Sequence, residues 1–244
     1  MHSSTALALA ALLTWASPAV GQAAPQFAQL YSYQVLSPPA FIEGYRTHLR
    51  WHEAVGDTLV WYGWTVASGP RRGMFVDGTF GVTLEQLDRR PQLAADRDDF
   101  IRNVAQHVRP VDVETWELWR GPTGDTPLED RKPGAVMDVF VIDVEPARVA
   151  AFERVLGQPS ARGPHGWTWY RAVRSGSATE FMLLVNRAKW DDLSPIGATF
   201  TELLRRGYGP TRAAAALSQM RGVRSEVWSY EPRLSLLPGV TLAP

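Results

Sequence analysis

Two histidines four residues apart, His48 and His52, stand in the run Tyr45-Arg46-Thr47-His48-Leu49-Arg50-Trp51-His52-Glu53. Imidazoles at that spacing project from one face of a helix. There they can bind a metal ion, act as a general base near neutral pH, or fill a core while hydrogen-bonded. Phe41, Tyr45 and Leu49 fall on the same helical stripe, so the pair is expected to point at packed protein instead of water. The metal reading lacks two parts. In the zinc-protease motif a glutamate directly follows the first histidine, whereas here Glu53 follows the second. No third ligand is recognisable, so no metal is assigned. A general base in a pocket between helix and sheet needs only one of the two, and His48 and His52 are the catalytic candidates. The plain alternative is a pair of partly buried histidines bonded to backbone or to Tyr and Asp neighbours.

Aromatic residues carry the second signal. All but Trp15 of the ten tryptophans follow the first twenty-one residues. Tyr62 and Trp64 share one face of a strand, as do Trp167 and Trp169. Together with Tyr33 and Tyr45 on neighbouring segments, Tyr62 and Trp64 are candidates to line a cavity for a flat or apolar ligand. The competing use is to fill the centre between two sheets, because tryptophan buries much area for little lost entropy. Asp77, an acid within the apolar strand Met74-Phe75-Val76-Asp77-Gly78, is a further ligand-binding candidate and could orient a histidine.

The elements that must position these residues occur twice. Leu30–Leu36 reads as an aromatic strand, and Ser37-Pro38-Pro39 as the start of the helix carrying the histidines. Strands over 59–67 and 74–80, a helix over 96–107 and a strand over 113–119 follow. Residues 136–230 repeat that order at a spacing of about 106–109 residues. Trp61-Tyr62 matches Trp169-Tyr170, and Glu117-Leu118-Trp119 matches Glu226-Val227-Trp228, the two glutamates suggesting a shared structural role. On that alignment Val155 takes the place of His48 in the second copy, and Leu156 that of Leu49. One copy fills the slot with hydrocarbon and the other with imidazole.

Each copy has the β-α-β-β-α-β order of a ferredoxin-like unit, and two such sheets can bury their open faces against each other. On these matched residues and this order the chain resembles the dimeric α+β barrel superfamily in tandem-fused form. The resemblance implies α+β class, two ferredoxin-like βαββαβ repeats forming a single-chain pseudo-dimeric α+β barrel. It also implies a range of activities, from monooxygenases acting without cofactors to haem-binding enzymes. His48, His52, His107 and His165 are the histidines a haem could use, but His165 lies in a turn-like stretch and His107 near a helix end. The expectation is therefore no cofactor, neither haem nor metal being supported by a motif.

The division expected is a signal peptide over 1–21, a first repeat over 22–120, a linker over 121–135, a second repeat over 136–231 and a surface tail over 232–244. Ala6–Leu13 is too short an apolar run to span a bilayer, and Ala19-Val20-Gly21 is a small-x-small cleavage pattern. The chain is expected in the periplasm or secreted, without membrane insertion. Twenty-five basic and twenty-five acidic residues give no electrostatic reason to expect nucleic acid. The absence of cysteine excludes disulfides and thiolate chemistry. The leading functional expectation is binding of a small hydrophobic or aromatic molecule in the first repeat. A cofactor-independent, monooxygenase-like enzyme with a helix histidine as base is the enzymatic alternative, and a structural or assembly protein the third; the sequence leaves the oligomeric state open.

Overall fold

A computed structural model describes residues 24–90, 92–125, 128, 133–158, 162–174, 177–192 and 200–238. The signal peptide expected over 1–21 lies outside the described residues. The first half runs β1 (Phe27–Val35), α1 (Pro38–Ala54), β2 (Tyr62–Ser68), β3 (Phe75–Val82), a short α2 (Leu84–Asp88), α3 (Leu93–Asn103) and β4 (Val108–Leu118). The second runs β5 (Val136–Val144), α4 (Val149–Leu156), β6 (Trp167–Arg174), β7 (Glu180–Arg187), α5 (Phe200–Tyr208), α6 (Pro210–Leu217) and β8 (Met220–Tyr230).

All eight strands pair antiparallel and close into a barrel in the order β1-β3-β2-β8-β5-β7-β6-β4. The halves join at β2–β8, where Trp64 faces Tyr230, and at β4–β6, where Leu118 faces Tyr170. Strand alternation sends one set of side chains into the barrel and the other out to the helices. Inside stand Leu30, Tyr62, Trp64, Phe80, Trp116, Tyr170, Met182 and Trp228. A buried Trp withdraws ~150–250 Å² from water, on the order of 4–6 kcal/mol at ~25 cal/mol/Å². This aromatic filling is the main apolar glue between the halves. Outside, α1 and α3 cover the first half and α4 to α6 the second, each over its own aromatic layer.

The structure differs from the sequence expectations at four points and adds a buried contact in the linker. Tyr62 and Trp64 do not line a ligand cavity: both are packed in the barrel interior, on the far side of the sheet from the histidines. The closing strands match three residues away from the register read in sequence. Trp119 lies outside the barrel against the second-half helices, while Trp116 and Trp228 both lie inside. Each donates its indole N–H to the glutamate two residues earlier, Trp116 to Glu114 at 3.4 Å and Trp228 to Glu226 at 2.8 Å. An odd-numbered slip reverses the face of every strand residue, so Glu114-x-Trp116 is the true counterpart of Glu226-x-Trp228. The described part of the tail, residues 232–238, does not lie wholly on the surface: Leu234 and Leu236 are buried against the first half, and Leu236 pairs with Trp61. The linker reaches inward as well, burying Leu128 in the barrel core with its N–H on Thr168 Oγ1 at 2.9 Å. Finally, β2 starts at Tyr62 and not at residue 59, because the Asp57 carboxylate accepts from the Leu59 N–H and holds that stretch as a turn.

Glu117 and Glu226, though not at equivalent positions, each tie the two halves. Glu117 of β4 binds Arg171 of β6, and Glu226 of β8 binds Arg71 of the β2–β3 turn, each at 2.9 Å.

Candidate functional site

Helix α1 opens with Pro38 and Pro39, which lack an N–H where none is needed in the first turn; Ser37 precedes them without a side-chain cap bond. Its buried face is Phe41, Gly44, Tyr45, His48, Leu49 and His52. Gly44 lets α3 come into backbone contact: a Cβ there would stand 1.9 Å from the Asn103 carbonyl oxygen. That approach brings two acids of α3, Asp96 and Asp99, to the histidines. The helix begins at Leu93 and ends at Asn103, three to four residues earlier than the periodicity suggests, with His107 in a separate single turn.

The geometry is tightly specified. His48 Nδ1 lies 2.9 Å from Asp99 Oδ2, and His52 Nδ1 lies 2.8 Å from Asp57 Oδ2. With both Nδ1 positions committed to carboxylates, the two Nε2 atoms face each other at 3.2 Å. Asp96 Oδ1 completes a triangle, 3.4 Å from His48 Nε2 and 3.3 Å from His52 Nε2. The other Asp96 oxygen is paired with Arg90, whose guanidinium lies 4.7 Å from the centre of the Trp61 ring.

Burial pulls the His48 pKa down and prevails over the bond to Asp99. Burial also disfavours charge on His52, but the carboxylates of Asp57 and Asp96 outweigh it and raise that imidazole above its ordinary value. Asp57 falls to about 2 despite burial, because His52, the Leu59 N–H and the Trp61 indole all bind its charged form. The two imidazoles thus sit side by side with their pKa values displaced in opposite directions.

Above it lies a cavity of about 250 Å³ walled by Tyr31, Tyr33, Tyr45, Trp61 and Phe100, with Asp77 in its lining. Asp77 does not orient a histidine, as the sequence suggested it could. It accepts from the Tyr45 hydroxyl at 2.5 Å, while Asp99 and Asp57 hold the imidazoles. Its other oxygen has no partner among the described residues. Full burial raises the Asp77 carboxyl to about 7, so near neutrality it can present an O–H to a ligand. Of the residues chosen from sequence, Tyr33, Tyr45, His48, His52 and Asp77 converge here, and Tyr62 and Trp64 do not. Tyr31, Asp57, Trp61, Arg90, Asp96 and Asp99 were missed. Asp96 and Asp99 follow each other at helical spacing, but so do many surface acids, and only the tertiary approach of α3 distinguishes them.

The second half has no such cluster among the described residues. Phe152, Leu156, Trp169, Phe181 and Tyr208 pack the corresponding space between helices and sheet. Val155 packs against that layer, and His165 is exposed beside Asp125.

No family model matches the chain, and no curated protein sequence matches it. Solved structures do. A "putative monooxygenase" from Lactobacillus acidophilus shares 9% identity over 90% of this chain and all of its own, with a TM-score of 0.53. A second "putative monooxygenase", from Fusobacterium nucleatum, shares 11% over 85% of this chain and 93% of its own, TM-score 0.56. A variant chlorite dismutase from Candidatus Nitrospira defluvii, solved with cyanide, shares 7% over 85% and 91%, TM-score 0.52. These are dimeric α+β barrel proteins, and the likeness establishes that fold for this chain.

The expectation of no cofactor is corrected by these findings. Chlorite dismutases bring the haem-binding branch of the superfamily among the fold neighbours, and His48, His52 and Asp96 form a group able to hold a metal ion, their ligand atoms all within 4.8 Å of one another. Haem itself does not fit the residues present. The cavity of about 250 Å³ lies below the ~300–1,000 Å³ of sites for drug-sized ligands, and a porphyrin is larger still.

Proposed function

We propose that this chain binds a small aromatic or apolar molecule in the cavity between α1, α3 and the first-half sheet, with a polar group of the ligand directed at Asp77 and the histidine pair. One observation carries the reading. An aromatic-walled cavity sits over converging buried polar groups in the first half, while packed aromatic side chains take the corresponding place in the second. Apolar walls with a few placed polar groups are the usual composition of such sites. Trp61 lines the cavity and gives an intrinsic probe. A panel of small phenols, aromatic acids and apolar controls is titrated against the protein, reading Trp fluorescence and thermal shift. Saturable binding weakened at least tenfold in Tyr33→Ala and Tyr45→Phe, but not in Val155→Ala, supports the site. Equal binding by all variants would remove it.

An enzymatic reading has its own support. Adjacent imidazoles with opposite pKa displacements are suited to moving a proton, and monooxygenase-named proteins share the fold. Turnover of a bound ligand lost in His48→Gln with binding retained would support it.

The strand order β4-β1-β3-β2 in one half and β8-β5-β7-β6 in the other supports tandem ferredoxin-like repeats divided near 121–135. The apolar run and cleavage pattern over 1–21 support action outside the cytoplasm, and among the described residues no helix is long and apolar enough to cross a membrane. N-terminal sequencing of exported protein beginning at Gln22 is the check.

A further inference from the structure

We infer that His48, His52 and Asp96 bind one divalent first-row transition metal ion in tetrahedral geometry, with its fourth position open to the cavity. The inference deepens the proposed function, because a ligand held in that cavity would meet the open position.

Three features carry it. First, the three ligand atoms converge on one point. Each Nδ1 is turned to its own carboxylate, leaving two Nε2 atoms and a carboxylate oxygen aimed at one point. A charge-assisted N–H···O bond to Asp96 would draw its oxygen to ~2.7–2.9 Å from a ring nitrogen. The three edges are instead 3.2, 3.3 and 3.4 Å.

Second, those edges match a metal. Ligand bonds of ~2.0–2.2 Å give edges of ~3.3–3.6 Å in a tetrahedron and ~2.8–3.1 Å between neighbours in an octahedron. The near-equilateral triangle sits at the tetrahedral value. Two histidines and a carboxylate with one open position is a composition used by catalytic zinc.

Third, the supporting shell is complete. Asp99 and Asp57 bind the far nitrogen of each imidazole, the arrangement that fixes ring orientation in metal-binding histidines. Arg90 holds the second oxygen of Asp96, leaving Oδ1 as the single donor of that carboxylate. Packing alone requires neither the paired orientation nor the equal edges.

The test uses the whole folded protein, stripped with chelator and titrated with Co²⁺, whose visible spectrum reports geometry. The expected result is one Co²⁺ per chain with intense tetrahedral bands, displaced stoichiometrically by Zn²⁺. Asp96→Asn should weaken binding at least ~100-fold and Asp99→Asn by ~10–100-fold, since Asp99 acts through His48. Should either variant fail to fold, ¹⁵N spectra of the unmodified protein decide, as Zn²⁺ must shift the Nε2 resonances of two histidines and spare those of His107 and His165. No stoichiometric Co²⁺, an octahedral spectrum, or unchanged affinity in folded Asp96→Asn would overturn the inference. The titration needs no organic ligand, so it stands or falls independently of the aromatic screen.

Discussion

Gly44 and Asn103 bring α1 and α3 into backbone contact, with 1.9 Å between the Asn103 carbonyl oxygen and the place a Cβ on Gly44 would take. This approach brings Asp96 and Asp99 within reach of histidines some fifty residues earlier in the chain. Gly44→Ala must therefore push α3 away. Overpacking of this kind costs about 1–3 kcal/mol. The expected outcome is a lower melting temperature together with loss of the Co²⁺ signal, although no proposed ligand is altered. Full metal affinity in Gly44→Ala would show that the helix spacing does not set the site.

Asp77 makes stability depend on pH. Its folded pKa is raised to about 7 from 3.8 by burial. Between those values the native state binds more protons than the unfolded state. Its contribution is thus fully present below about 3.8 and lost as pH rises through about 7. Asp77→Asn removes this dependence. Chemical denaturation at pH 5 and pH 8 is expected to show a larger fall for the unmodified protein than for the variant, by on the order of a few kcal/mol. Identical falls would mean that Asp77 titrates normally in the fold.

Asp57 acts with the opposite sign. Its folded pKa is depressed to about 2, with His52, Leu59 N–H and the Trp61 indole binding the charged form. That stabilisation is present above 3.8 and disappears as pH falls through about 2. Asp57→Asn is expected to cost about 1.5–3 kcal/mol at pH 6, the worth of a hydrogen bond to a charged group, and to flatten the acid limb of the denaturation profile. An unchanged acid limb would locate the acid sensitivity elsewhere.

The parts of the fold legible in the sequence were those written in local periodicity. Trp61-Tyr62 and Trp169-Tyr170 did mark equivalent strands, with Tyr62 and Tyr170 inside the barrel and the two tryptophans outside. The stripe of α1 correctly turned His48 and His52 inward, at 6% and 3% exposure. Periodicity specifies a face, not what stands opposite. Tyr62 and Trp64 share a face but the wrong one for the pocket, and Trp61, immediately before Tyr62 and on the opposite face, lines it. The Glu-x-Trp pairs were misregistered because Glu117-Leu118-Trp119 and Glu114-Thr115-Trp116 offer the same letters three residues apart. Asp57, Asp96 and Asp99 acquire meaning only through contacts that span loops and helices.

The tail is expected to be part of the fold. Ser235 Oγ accepts the Gly63 N–H at 2.9 Å, Leu236 exchanges backbone hydrogen bonds with Trp61, and Leu234 and Leu236 are buried. Truncation after Glu231 would expose the Trp61 side of the pocket and remove two buried leucines, each worth ~1.5–3 kcal/mol. A clear drop in melting temperature and stronger quenching of Trp fluorescence by acrylamide should follow. An unchanged melting temperature would show that the segment contributes little.

His48→Val places in the first half the residue type that the second carries at Val155, yet it should not stabilise the protein. Asp99 is 6% exposed and its carboxylate lies against His48 Nδ1. Removing the imidazole leaves that carboxylate with Asn103 and the exposed Arg102 as its remaining side-chain partners. Losing a buried hydrogen bond to a carboxylate costs about 1.5–3 kcal/mol, whereas replacing both sides with apolar groups is often close to neutral. The expected order of stability is unmodified protein, then His48→Val with Asp99→Leu, then His48→Val alone. The double-mutant cycle should return a coupling of about 1–3 kcal/mol. Additive losses would mean that the two side chains are neighbours without being partners, and that the imidazole is held by packing alone.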